Sequence, residues 1–182
     1  MVEETKQLML SLKERWQSPA GKDMLAKVLS SMRSGQPWNS FLSTLPAVED
    51  VLTGRDLRGA PLNELELDNL DFRDASLDFA ELRGASLEYA DFRGAQLNHA
   101  DLSGAKLGRA NFAGCLMIRV DLTGANLASA TLTNAALTGA NLVGANFSQA
   151  DLTNAGLFGA EIKGALFEGA ILTNARFDRF AG

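Results

Sequence analysis

The chain holds one cysteine and one histidine in 182 residues. A single thiol excludes an intramolecular disulfide framework, and one Cys with one His does not make a zinc site of the usual composition. Basic residues are also in short supply. The 17 Lys and Arg stand against 22 Asp and Glu, a formal charge of −5, the reverse of a nucleic-acid-binding footprint. No run approaches the roughly 18 apolar residues of a membrane span. The opening Met1-Val2-Glu3-Glu4-Thr5-Lys6 lacks the basic-then-apolar form of a secretory signal. The expectation is a soluble cytoplasmic chain with no metal, no cofactor, no membrane contact and no direct contact to nucleic acid. What is abundant is apolar mass, 46% of residues, enough to build a core.

That mass is arranged with a period of five. From Leu52 to Phe177 every fifth residue is Leu, Phe, Ile or Met, 26 positions with no break in phase. Two residues before each of these centres runs a second register. Between residues 60 and 175 it has 24 positions, of which 20 are Ala and the others are Leu65, Leu70, Cys115 and Val120. The residue before the centre is often Asp or Asn, as at Asp91, Asp101, Asn111, Asp121, Asn141 and Asp151. The second residue after it is Gly at 12 of the 26 positions. A helix turns about 100° per residue, so a step of five scatters the centres around the cylinder. A strand alternates faces, so the same step sends successive centres to opposite sides. The chain must therefore turn a corner in every quintet, each quintet forming one side of a coil.

The spacing of substitutions counts the sides. Phe occupies centres 72, 92 and 112, then 147 and 167, in steps of 20. Six pairs of the corner glycines lie 20 apart and two lie 15 apart, and Leu-Thr-Asn-Ala recurs at 132, 152 and 172. Like residues stack on like in a solenoid, so the coil has four sides. The runs Ala-Asp-Leu-Ser-Gly, Ala-Asn-Leu-Val-Gly and Ala-Asp-Leu-Thr-Asn resemble the A(D/N)LXX signature of the pentapeptide repeat family, over about residues 50–180. The resemblance implies a mainly β fold, a right-handed quadrilateral β-helix with the Leu/Phe and Ala positions inward. The repeat then makes about six coils, a rod roughly 30 Å long at ~4.8 Å per coil.

Residues 1–49 fall outside the repeat and 50–182 within it. Glu3 to Gln17 reads as a helix, with Leu8, Leu12 and Trp16 on one stripe. Ser18-Pro19 supplies an N-cap and a first-turn proline. A second helix runs to about Ser34, with Met24, Leu25, Val28, Leu29 and Met32 on one face, and Gly35 and Pro37 stop it. A short third segment carries Trp38, Phe41, Leu42 and Leu45 before Pro46. This part is expected to be a small helical cap over the first coil, whose bare edge would template aggregation; a recognition head is the alternative. At the far end Arg176, Asp178 and Arg179 guard the last edge, and Phe177 and Phe180 are placed to close it or to meet a second copy.

Catalysis needs a nucleophile with a base, a metal, or paired carboxylates. His99 is outward and Cys115 inward, at different corners, so they make no couple, and no enzyme is expected. The outer walls remain. One acidic column reads Glu81, Asp101, Asp121, Asn141, Glu161, and another Asp71, Asp91, Asn111, Thr131, Asp151. Rungs about 4.8 Å apart approach the charge spacing of a DNA strand, about 3.4 Å. The same Asp and Asn residues are also suited to bonding nearby backbone at the turn. Arg73 and Arg93 offset Asp71 and Asp91, and no charge occurs from Leu122 to Ala150. A third surface is apolar, formed by Leu116, Ile118 and Phe158, and suits a partner protein or a homodimer.

Two functions follow. The first is a non-enzymatic scaffold presenting flat β-helix faces to a protein partner. The second is what the family resemblance implies: a DNA mimic that binds DNA gyrase, a type II topoisomerase, and protects it from inhibitors. Gyrase-protecting members commonly add a C-terminal helix, and some carry loops that interrupt a coil. Here the repeat keeps phase throughout and no helix is expected after Phe177.

Overall fold

The computed structural model describes residues 2–36 and 55–178. The third N-terminal segment (Trp38 to Pro46), the 49/50 boundary, the first centre Leu52, and Arg179 and Phe180 lie outside the described residues. Two helices come first, α1 (Val2–Gln17) and α2 (Pro19–Arg33). Ser18 separates them and caps α2, its Oγ accepting the Gly21 N–H at 3.0 Å. The bend is tight: a Cβ on Gly21 would stand 2.1 Å from the Arg15 carbonyl oxygen.

From residue 56 each quintet contributes one β-bridge residue just before its centre, followed by a two-residue turn. The bridges are parallel and join residue i to i+20, from Asp56↔Ser76 to Gly156↔Arg176. Four quintets therefore complete a coil, as the spacing of Phe and Gly predicts. We number the walls by their first centres: Leu57, Leu62, Leu67 and Phe72 open walls one to four. The second residue after each centre has positive φ at all 24 such positions from 59 to 174. Thirteen of these are not glycine, Phe79, Tyr89 and Arg119 among them. The corner thus holds even where the side chain opposes it by roughly 1–2 kcal/mol.

Inside the tube the two registers are buried as the period implies up to Leu157. Beyond it the last coil has no coil stacked on it among the described residues, so the inward positions from Ala160 to Phe177 are half-buried, apart from the centre Leu172, which is 39% exposed. Centres from Leu57 to Leu157 and the Ala positions between them are 0–1% exposed, apart from Leu70 at 7% and Leu65, which is half-buried. Each buried Leu or Phe contributes on the order of 1.5–3 kcal/mol before its ordering entropy is subtracted. Like does stack on like. Phe72, Phe92 and Phe112 form a column with ring centroids 4.8 Å apart and planes 5° from parallel.

The helices close the first coil. Trp16, Met24, Val28, Leu29 and Met32 join the same core cluster as Leu57, Leu62 and Leu67, while Leu8 lies at the rim, 36% exposed. A buried ion pair fixes the contact: Arg15 Nη1 donates to Asp56 Oδ2 at 2.9 Å, and Arg58 donates to the same carboxylate at 3.0 Å. Trp16 Nε1 donates to the Arg58 carbonyl at 2.7 Å. Gly59 makes room, since a Cβ there would meet the Leu12 Cβ at 2.9 Å.

Two outcomes test this architecture. Leu127→Lys puts a charge where the native side chain is 0% exposed; the cooperative unfolding transition should be lost. Ala128→Lys, one residue on and outward, should shift stability by no more than about 0.5 kcal/mol in urea unfolding. The second concerns pH. Burial pushes the Asp56 carboxyl up, but hydrogen bonds from Arg58 and then Arg15 outweigh it and hold the pKa at about 2, below the ordinary 3.8. A depressed carboxylate stabilises the fold above its unfolded pKa and loses that contribution as pH falls. Cap docking, followed by Trp16 fluorescence in a Trp38→Phe background, should be flat above pH ~4 and weaken by about 2 kcal/mol between pH ~4 and ~2.

Candidate interaction faces

The turn chemistry determines what the walls display. The Asp or Asn before a centre accepts the backbone N–H two residues on: Asp71 from Arg73 at 2.9 Å, Asp121 from Thr123 at 2.9 Å, Asn141 from Val143 at 3.2 Å. Where that position lacks an oxygen, the coil before can supply one, as Asn98 Oδ1 does for the Ile118 N–H at 3.0 Å.

On wall two, successive bridges line up Glu81, Asp101, Asp121, Asn141 and Glu161 in one column. Its upper members are neutralised. Glu81 pairs with Lys13 of α1, and Asp101 accepts from Arg83 Nη2 at 2.9 Å and Ser103 Oγ at 2.6 Å. Burial pushes the Asp101 carboxyl up, yet Ser103 and Arg83 more than offset it and leave its pKa lowered. Asp121 accepts from Thr123 Oγ1 at 2.6 Å. Neither Asp121 nor Glu161 has an ion-pair partner among the described residues.

Wall four is paired at its first two acids, while among the described residues Asp151 accepts only from Thr153, its Oγ1 at 2.6 Å. Arg73 donates to Asp71 at 2.9 Å and Arg93 to Asp91 at 2.7 Å, with Arg55 3.4 Å from Asp71. The Arg73 hydrogen bond holds the Asp71 carboxyl well below the usual carboxylate range. For Asp91 burial acts upward and Arg93 prevails, so its pKa is lowered as well.

Wall one changes character along its length. It begins with Asp56 and Arg58 and then exposes Leu116 (43%), Ile118 (39%) and Phe158 (44%). Between them the bridge column shrinks from Leu116 to Ala136 to Gly156 before Arg176. The result is a trough of about 780 Å³. One bank is a ladder of side-chain amides: Asn154 Nδ2 donates to Asn134 Oδ1 at 3.3 Å and Asn174 Nδ2 to Asn154 Oδ1 at 3.1 Å. The other bank holds Thr138 and Phe158.

The reactive residues stay apart, as expected. His99 is exposed and stacks on Phe79 at 5.2 Å. Cys115 is buried, donates to the Phe92 carbonyl, and burial pushes its thiol up to about 12, which suits packing rather than nucleophilic chemistry. Among the described residues no cluster of three His, Cys, Asp or Glu could hold a metal, and no helix is long and apolar enough to cross a membrane. A smaller hollow of about 380 Å³ lies between α1 and the coils, bordered by Lys13, Glu81, Arg83 and Asp101, which pair with one another.

Three features are absent from the sequence reading: the buried Arg15–Asp56 lock, the cross-coil pairing of Arg83 with Asp101, and the trough. The recurring Leu-Thr-Asn-Ala is a signal for the amide ladder, since its Asn falls on one corner at three successive coils, 134, 154 and 174.

A family model described as pentapeptide repeats matches in eight copies, over residues 52–88, 66–104, 75–114, 105–142, 130–169 and 150–179. A comparison with curated protein sequences gives no match. Among solved structures, a trypsin-treated variant of QnrB1, described as a plasmid-mediated fluoroquinolone resistance protein, is 24% identical. It aligns over 69% of this chain and 66% of its own, with a TM-score of 0.43. A pentapeptide repeat protein of the Arabidopsis thaliana thylakoid lumen is 33% identical over 63% of this chain and 66% of its own, TM-score 0.27. A third, from Nostoc PCC 7120, is 24% identical over 84% and 94%, TM-score 0.31.

Proposed function

The chain belongs to the pentapeptide repeat family, and from that premise we propose that it is a non-enzymatic interaction scaffold. In this reading a right-handed square β-helix of about six coils, capped by residues 1–49, works in the cytoplasm and holds flat faces out to a protein partner. One observation carries it. Leu116, Ile118 and Phe158 stand exposed within three successive coils of wall one, a clustering of apolar groups that marks contact surfaces. They belong to outward positions, so the core gains nothing from them.

A second reading, the gyrase-binding DNA mimic, draws on the acidic columns of walls two and four. Lys13, Arg83, Arg73 and Arg93 neutralise Glu81, Asp101, Asp71 and Asp91. The acids of these columns without an ion-pair partner among the described residues are Asp121 and Glu161, two coils apart on wall two, and Asp151 on wall four, so neither stripe has continuous charge to offer.

Replacing Ile118 and Phe158 together by Asp should leave stability within about 1 kcal/mol while abolishing partner capture, or halving the solution mass if the partner is a second copy. Unchanged capture and mass would refute the scaffold reading. For the mimic, the protein in large excess should neither inhibit gyrase supercoiling nor relieve its inhibition by a quinolone. Either effect would reverse the ranking of the two readings.

A further inference from the structure

The trough on wall one has features that a bare apolar patch lacks. Its floor, Ala136 and Gly156, is small and neutral, Phe158 forms one bank, and the amide ladder forms the other. Arg176 stands at its lower end, and its guanidinium has no hydrogen-bond or ion-pair partner among the described residues. Asp178, which accepts the Gly159 N–H at 2.7 Å, keeps its charge but does not line the trough, where Arg176 is the one charged side chain among the described residues. On a chain of net charge −5, this is a hollow with an apolar floor, an amide bank and a single cation at its end.

The wall offers no free strand edge here. The Ala136 N–H donates to the Cys115 carbonyl and the Gly156 N–H to the Ala135 carbonyl, each at 2.9 Å. A guest is therefore gripped by side chains and does not extend the sheet. From Leu116 to Arg176 the column spans three coil steps, about 14 Å, the length of about four extended residues. Within the ladder Asn154 uses one amide hydrogen toward Asn134 and keeps the other for a guest carbonyl.

We propose that the trough receives an extended, acidic-apolar peptide segment of the partner protein. An apolar side chain sits on Ala136 and Gly156 against Phe158, and a carboxylate reaches Arg176. This deepens the scaffold reading and rests on it.

Random decapeptides displayed on phage and panned against the full chain supply the probe. Enriched sequences should pair an aromatic or branched aliphatic residue with Asp or Glu about two to four positions away. A synthetic peptide from that pool, followed by fluorescence anisotropy, should lose affinity about tenfold or more on Arg176→Glu, and exchanging its acid for Lys should restore binding to that variant. Gly156→Leu should cause a similar loss by filling the floor. Gly156 has no positive φ and nothing within 4 Å of a built Cβ, so neither the backbone nor the adjoining wall opposes the new side chain. A pool without acidic preference, or affinity unchanged in both variants, overturns the proposal. If the Ile118→Asp, Phe158→Asp protein then still loses its partner, the scaffold reading stands without the peptide groove, and the two failures are told apart.

Discussion

Five backbone N–H groups in every quintet must find acceptors in a wall a single chain thick, and that requirement governs the molecule. The centre and the residue two after it donate to the next coil, as in Leu57 to Ser76 and Gly59 to Asp78. The bridge residue donates back to the previous coil, as in Ser76 to Arg55. The Ala N–H closes the turn on its own centre, as in Ala60 to Leu57. The fifth has no backbone acceptor, and an Asp or Asn side chain supplies one at coil after coil. An unsatisfied donor at each corner would accumulate a large penalty over the rod. Positive φ at the corner is the geometric side of the same solution, and Phe79 and Tyr89 tolerate it because the hydrogen bonds around them are complete.

This has a direct bearing on function. The acids of the columns are first of all turn acceptors, and the early coils balance several of them with arginine. Wall charge is therefore a poor guide to partners here, whereas departures from the repeat's own needs are informative. Leu116, Ile118, Phe158 and the narrowing of the column at Gly156 satisfy no backbone group and fill no core position.

Much of this was legible in the sequence because the repeat reports on itself. The centres were read as inward and four to a coil, and the Phe column at 72, 92 and 112 is stacked as its spacing implies. Cys115 as an enlarged Ala and the Asx role of Asp and Asn also follow from register alone. What escaped depends on neighbours distant along the chain. Arg15 meets Asp56 across 41 residues, and a helical stripe of apolar residues gives no hint of a cation beneath it. Arg73 and Asp71 are two residues apart and their pairing is evident from the sequence, but Arg83 and Asp101 meet across 18 residues. The trough needs several columns compared at once, since each of its residues is unremarkable in its own quintet. Leu8 was placed on the buried stripe, yet the rim of the cap leaves it partly in water.

The register of 20 also sets how this surface can change over time. A duplicated quintet would leave the interior intact, since one inward Leu replaces another, but everything beyond it would rotate by a quarter turn. Phe158 and Arg176 would then face a different direction from Leu116 and Ile118. A duplicated whole winding keeps every column in line and merely lengthens the rod. The interior thus tolerates growth in fives, while a binding surface spread over several windings survives growth only in twenties.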